Sequence, residues 1–592
     1  MVLSVQRRVL LVVGLVAVLE GAWAEHVRAL PRYGPIDISG NVSSQQLIRM
    51  TSPTVYAFVQ QRNTIKLRLD YQIFEYGKLA ERFEIPFISS AKLFLLYRGV
   101  YDSVYSYQPG FTQKDIWGNP AAIRFKGQTQ ATIQRLSSLG PNPAPTFDSD
   151  LREAYLDIRF KGIPLSVRAG RQQVVWGETD NFRLLDRTNS LDLTWHLQQE
   201  SWDELRIPDW IIKGLYQLPD TAGFSNMFVE AYWDLGDWVP GRKAFLPRPW
   251  SSPVVNPITL LAQVLNTDTL YHKTRLFKQG NYHRNPIENS QVGIRFNAVT
   301  PQGVQFTLNY FYGRWAGDDG TNSAPFRGVL SASNANEAYF VNNQLPIEAI
   351  QPYVNAIGTS LNYADEDYTE AVFRMEMIGE FGVPFTDASK QFQPGVNPLL
   401  RQVLGHDVYG VSKRSMWKGM LGFDRPTWIR FLNRKSTFLV LGQFFWHYLA
   451  NNPTVACNNP NEAPPCPASG QGHGFRGQFS TSGFQSGGEA FGHGTPFFDR
   501  VGTWESLFTL ATTTFYSGGK IVPLVAYILD PVNSYNQEVL GTVDYFITND
   551  LIFNVAQRYF INTTSKPVFE TWGVAGINRG RSETQLKLTY QF

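Results

Sequence analysis

The chain has 592 residues, 53 Lys and Arg against 50 Asp and Glu, a formal net charge of +3, and only two cysteines. That near balance excludes a polyanion-binding role, so no nucleic-acid partner is expected. Aromatic residues reach 14%, with 41 Phe, 27 Tyr and 15 Trp, yet mean hydropathy is only −0.22, which fits greasy side chains alternating with wet ones.

Residues 1–24, MVLSVQRRVLLVVGLVAVLEGAWA, read as a secretory signal peptide. Arg7 and Arg8 form the basic start, Val9 to Leu19 the apolar run, and Ala22-Trp23-Ala24 the cleavage site. Cleavage is expected after Ala24, leaving 25–592 as a single β-barrel domain. The apolar run is too short to cross a bilayer well, and no later run reaches the length a membrane helix needs.

The rest of the chain offers alternating segments of the length a tilted membrane strand requires. In chain order they are Ile36–Arg49, Asn63–Phe74, Ala91–Ser103, Asp150–Phe160, Leu165–Val175, Ile207–Gln217, Asn226–Asp234, Ser290–Ala298 and Val304–Trp315. The second half adds Asn355–Tyr363, Tyr368–Ile378, Lys413–Phe423, Ser436–Leu449, Thr503–Tyr516, Ile521–Asp530, Glu538–Thr548, Leu551–Phe560 and Thr584–Phe592. The expected fold is all-β: a transmembrane antiparallel β-barrel of about 18 strands (roughly 16–20), with long extracellular loops and short periplasmic turns. Ala121–Ile133 also alternates, but counting it would invert the succession of long and short connections. Glu75–Ser90, a long inner connection, and Pro531–Gln537, a short outer one, are the exceptions.

Several stretches stand out. Trp176–Arg206 and Leu235–Asn289 are long enough to fold inward as plug loops, and Trp195–Trp210 mixes aromatics with charges as a gate would. Asp424–Lys435, DRPTWIRFLNRK, reads as a short amphipathic helix at the inner membrane surface or as an ordinary loop. Ser436–Leu449 is apolar on both faces, so either the lumen has an apolar patch there or a loop covers it. In Thr584–Phe592, Leu586, Leu588, Tyr590 and Phe592 share one face while Gln585, Lys587, Thr589 and Gln591 share the other. Leu588, Tyr590 and the terminal Phe592 resemble the signal by which barrel-assembly machinery recognises outer-membrane strands.

Arg168–Glu178 reads RAGRQQVVWGE, just after DLREAYLDIRF at Asp150–Phe160. This core, Arg168, Gly170, Arg171, Gln172, Trp176, Gly177 and Glu178, resembles the domain-of-unknown-function 1302 family of proteobacterial outer-membrane proteins. The resemblance implies a Gram-negative outer-membrane barrel. It also implies an association with resistance-nodulation-division (RND) exporters, a soluble or lipid-anchored periplasmic partner, and handling of hydrophobic compounds. The family supplies no catalytic residues.

Alternation turns Glu153, Tyr155, Asp157 and Arg159 inward on one strand and Ser166, Arg168, Gly170 and Gln172 on the next. Glu153, Asp157, Arg159 and Arg168 are therefore expected as a lumen charge network, to which neighbouring Arg171 is added, either stiffening the wall or setting selectivity. The favoured function is a channel or transporter for hydrophobic or amphipathic small molecules, set in outer-membrane lipid. The alternatives are a general water-filled porin and a docking barrel for periplasmic partners. A lipid hydrolase would need a triad, and His447 with Ser415 lacks a third member. No enzyme activity, cofactor or metal is expected.

Cys457 and Cys466 lie nine positions apart around Pro460, Pro464 and Pro465. In an exported protein they are expected to form a disulfide that stabilises their loop by ~2–3 kcal/mol. Mass spectrometry of protein from intact cells should find the bridge; two free thiols would refute it.

Overall fold

The computed structural model describes residues 35–592 apart from 53–54, 76–77, 80–82, 109, 115–119, 124–146, 181, 194–199, 240–241, 244–277, 280–286, 316–325, 329–346, 350–351, 392–408, 453–478, 481–502, 532–534 and 562–579. The expected signal peptide, Cys457 and Cys466, Trp195 and most of Leu235–Asn289 lie outside the described residues.

Eighteen antiparallel strands among the described residues close into one ring. They are β1 (Ile36–Ser52), β2 (Val55–Glu75), β3 (Ile88–Asp102), β4 (Phe147–Phe160), β5 (Leu165–Gln172) and β6 (Asp209–Gln217). Then come β7 (Ser225–Asp234), β8 (Gln291–Val299), β9 (Gln305–Arg314), β10 (Tyr353–Asp365), β11 (Ala371–Gln391) and β12 (Tyr409–Thr427). The last are β13 (Phe438–Leu449), β14 (Trp504–Thr513), β15 (Ile521–Asp530), β16 (Asn536–Phe546), β17 (Leu551–Ile561) and β18 (Ser582–Gln591). Each segment read from the sequence overlaps one strand of the ring. The Phe111–Lys114 and Pro120–Ile123 pair is a separate two-stranded sheet, so the described start of Ala121–Ile133 lies outside the wall, and the rest of that segment lies outside the described residues.

Closure follows from the solvent. Hydrocarbon offers no hydrogen bonds, so every wall strand must find two neighbours. β18 pairs with β17 through Leu551↔Tyr590 and with β1 from Asn41↔Gln591 to Met50↔Ser582. The seam ends in Gly40 N–H donating to Phe592 O (2.9 Å) and Phe592 N–H donating to Gly40 O (3.0 Å). Outward residues are apolar and bare: Leu308, Ile357 and Leu421 are 53–56% exposed. Aromatic pairs face outward with them, Trp446 stacking on Trp504 with ring centroids 5.3 Å apart. A band of this kind suits lipid, and the barrel is a membrane-spanning one.

Two stretches differ from the sequence reading. β1 and β2 run on to Ser52 and Val55, so the expected loop after Arg49 is mostly wall. Above the lipid, hydrophobic alternation lapses because water or polar neighbours satisfy either face. There the ladder is carried by such pairs as Gln46↔Gln61. Asp424–Lys435 is not a helix. Strand β12 continues to Thr427, and Leu432 and Asn433 N–H both donate to Ile429 O at 3.0 Å in a turn. Buried Asn433 fixes that turn, its Nδ2 donating to Thr514 Oγ1 (3.0 Å) and Phe515 O (2.9 Å).

The face assignment has a direct test on β18. Leu588 pairs with Ser44 and Phe553 on the outward register, whereas Thr589 borders a lumen cavity. Leu588→Arg should cost up to ~2–4 kcal/mol near the bilayer midplane, and Thr589→Arg far less. The heat-modifiable folded fraction of each variant checks this; equal damage would reverse the faces.

Candidate functional site

The lumen is occupied by the described residues of the β5–β6 connection, 173–180, 182–193 and 200–208. Its stem is the Asp209↔Gln172 pair of the wall. Gly170 prepares the departure: it takes φ +136°, and a side chain there would strike the Ala154 carbonyl and the Tyr155 backbone. Gln172 is fully buried and donates from Nε2 to Ile211 O at 2.8 Å.

Inside, Asp186 organises the segment. Its Oδ1 accepts the backbone N–H of Trp176 (2.6 Å) and Gly177 (2.7 Å), and its Oδ2 takes Arg206 (2.7 Å). A Cβ at Gly177 would lie 3.2 Å from Asp186 Cγ, so glycine permits the approach. Asn189 works the same way, its Oδ1 accepting Val174 N–H (2.8 Å) while Nδ2 donates to Ile207 O (2.9 Å) and Asp209 (3.0 Å). Trp176 donates Nε1–H to Glu230 at 2.6 Å. These contacts explain why Gly170, Gln172, Trp176, Gly177 and Glu178 occur as a block.

One side of this plug is held by burial and buried acids. Trp176, Leu184 and Leu185 belong to one apolar cluster with Tyr232, Phe311, Ile378, Met420 and Phe445, and Phe182 meets Phe445 edge-on at 5.1 Å. The inward apolar face of Ser436–Leu449 is therefore covered by a loop. Glu376 accepts the N–H groups of Glu178 and Leu185, and Asn362 donates to Glu178. Glu380 takes both Arg187 and Lys418. Asp180 accepts Arg374 (2.7 Å) and Gln443 (3.0 Å).

The other side is ionic. Glu200 pairs with Arg62, and Glu204, in the one-turn helix Trp202–Leu205, pairs with Lys66 and with Arg98 (3.3 Å). Burial alone would raise the Glu204 carboxyl, but Lys66, Arg98 and Arg152 bring it down to about 2. Between this segment and strands β16–β18 and β1–β3 lies a cavity of about 370 Å³ lined by Arg62, Lys66, Arg98, Glu200, Glu204, Asp544, Asn554 and Lys587, among others.

The expected lumen network is placed as follows. Arg168 and Asp157 form a two-pronged ion pair (2.6 and 2.9 Å), with the Arg168 guanidinium 4.0 Å from the Tyr155 ring. Glu153 instead accepts Gln173 Nε2 (3.1 Å) at the root of the plug. Arg159 is exposed, towards the short-turn end of β4. Arg171 is not in the ladder: it stands opposite Ala154 and Trp210, and its guanidinium turns to Asp150 (2.7 Å) and to the carbonyls of Leu151 and Pro208. The ladder runs on through Gln172, so alternation itself puts Arg171 on the face opposite Arg168 and Gly170. The ladder continues through Glu230, near both Lys213 (3.7 Å) and Arg295 (3.6 Å). Asp186, Asn189, Glu376 and Glu380 were not singled out from the sequence. The polar run Asp186-Arg187-Thr188-Asn189 after Leu184-Leu185 was the available signal.

Two outcomes test the anchoring. Glu380→Ala leaves Arg187 and Lys418 facing each other without their carboxylate, which should loosen the plug by ~3–5 kcal/mol. Limited proteolysis should then cut within 173–208 in the folded barrel; unchanged protection would deny this anchor. A carboxyl held below its ordinary ~4.3 stabilises docking above that value and loses the effect as pH falls towards about 2. Amide protection at 202–206, taken relative to the intrinsic exchange rate, should thus be flat from about pH 8 to 5 and fall only below ~4.5. Lys66→Met removes the main attraction holding that carboxyl down, so the acid-dependent fall should shrink; an unchanged profile would discount this pair.

No curated protein matches the sequence. Among solved structures, Acinetobacter baumannii OccAB1 is 9% identical with a TM-score of 0.39, the alignment covering 96% of this chain and 99% of that one. Pseudomonas aeruginosa OccK2 (OpdF), in complex with glucuronate, is 8% identical with a TM-score of 0.38, covering 94% and 96%. Pseudomonas aeruginosa OccK8 (OprE) is 8% identical with a TM-score of 0.37, covering 94% and 98%. The sequence profile described as "Protein of unknown function (DUF1302)" matches residues 81–493, more than half of the chain. The chain, with its RAGRQQVVWGE core at the root of the plug, belongs to the DUF1302 family.

Proposed function

We propose that the protein is an outer-membrane channel in which small amphipathic molecules pass beside the plug formed by residues 173–208. The carrying observation is the asymmetry of that plug. Its apolar side is sealed against β7–β13, whereas its ionic side leaves a polar cavity against β16–β18 and β1–β3. A dry, apolar route is not favoured, because the greasy inner face of β13 is spent on holding the plug. The outer membrane as location is supported by the expected signal peptide together with the closed, apolar-banded ring. A periplasmic partner, including an RND-type exporter, remains part of this reading through the family resemblance.

Planar-bilayer recordings on the purified barrel test it. The parent should give small, fluctuating conductance, and an Arg187→Ala, Glu380→Ala double variant a severalfold larger one. A large steady conductance in the parent would favour a general porin. A loosened variant that conducts no better than the parent would overturn the passage beside the plug.

A further inference from the structure

Among the described residues lining the cavity, one cation is not engaged by the wall. Arg62 is engaged by Gln45 Oε1 (3.1 Å) and Glu200, Lys66 by Glu204, and Arg98 by Glu204 and Asp148. Lys587 differs. Among the described residues it makes no ion pair and no hydrogen bond, although it borders the cavity on the lumen face of β18. Its direct cross-strand neighbours are Gln45 and Asn554. Both present amide oxygens, but Gln45 Oε1 is given to Arg62 and Asn554 Oδ1 to Gln585 Nε2 (3.1 Å). The nearest wall carboxylate, Asp544, lies two strands away, roughly 10 Å. It already accepts Asn554 Nδ2 at 2.7 Å. A partly buried ammonium without a hydrogen bond among the described residues is unfavourable unless water or an anion completes its shell.

The cavity also has an apolar end. Phe546 and Ile552 form a cross-strand pair, and Ile552 stands opposite Thr589. Thr589 is two residues from Lys587, so the apolar pair begins roughly 7 Å down the wall. A volume of about 370 Å³ suits a molecule of few heavy atoms.

We propose that this cavity binds a small aliphatic carboxylate, its headgroup on the Lys587 ammonium and its hydrocarbon body against Phe546 and Ile552. The proposal deepens the channel reading by naming a substrate class for the same lumen. Asn41, Ser43 and Thr589 edge the cavity and offer the second carboxylate oxygen neutral donors. Glu200 and Glu204 stand across from Lys587 on the plug. They keep a dianion with a charge at each end from being the better fit.

Calorimetric titration of the full, detergent-purified barrel with hexanoate, hexanamide and acetate tests this. Hexanoate should bind at one site, with hexanamide and acetate each about tenfold weaker or more. Lys587→Met should weaken hexanoate by about tenfold or more, while Lys587→Arg restores it. Hexanamide binding as tightly as hexanoate would overturn the proposal without recourse to any variant. So would a folded, heat-modifiable Lys587→Met barrel that binds hexanoate like the parent. Acetate binding as tightly as hexanoate would remove the role of Phe546 and Ile552. Conductance on the same preparation separates the two readings. A barrel that binds hexanoate yet carries no current keeps the site and loses the channel. One that conducts yet does not bind hexanoate keeps the channel and loses the site.

Discussion

The backbone of a strand surrounded by hydrocarbon has nowhere to place its N–H and C=O groups except on another strand. That constraint closes β18 onto β1 and makes each wall residue choose between lipid and lumen. Once the ring holds eighteen strands, its interior is too wide for wall side chains alone to fill. The space must then hold water or a piece of the same chain. Here it holds residues 173–208, and the polar and apolar chemistry of the inner wall is divided according to which part of that segment it meets.

The division decides what kind of contact each wall strand makes. Strands β7 to β13 lend Tyr232, Phe311, Ile378, Met420 and Phe445 to a dry cluster of the kind found in a soluble domain. Its acids, Glu376 and Glu380, are buried against plug N–H groups and cations rather than against water. Strands β2 and β3 instead meet the plug through Arg62, Lys66 and Arg98. Ion pairs bordering a hydrated space are exchangeable: an arriving anion can compete for the same guanidinium or ammonium, whereas nothing small can replace a packed Trp176.

The wall was legible because its signal is local. Alternation over about ten residues survives in a single sequence wherever one face meets lipid, and each expected segment found its strand. Legibility failed where lipid stops. Gln46↔Gln61 is wall without alternation, and Trp428–Asn433 turns on one buried asparagine that composition does not announce. The plug was legible as a long connection with a family-like root. Its anchors were not: Asp186 reaches Trp176 across ten positions, while Glu376 and Glu380 reach the plug across nearly two hundred. Arg168 with Asp157 lay on adjacent strands, where register alone suffices. Arg171 lay one residue past Gly170 in the same register, and so on the opposite face of the strand.

The stem of the plug has a consequence for the family. Both ends of the segment leave from the paired residues Gln172 and Asp209 on neighbouring strands, so the wall closes behind it without a gap. The segment is in effect a cassette. Lengthening it or rewriting its charged half alters the lumen while leaving untouched the strand pairing that membrane insertion depends on. Barrels of this build can thus differ in what they admit through a few dozen contiguous codons, while the strands themselves stay under the separate constraint of pairing in hydrocarbon.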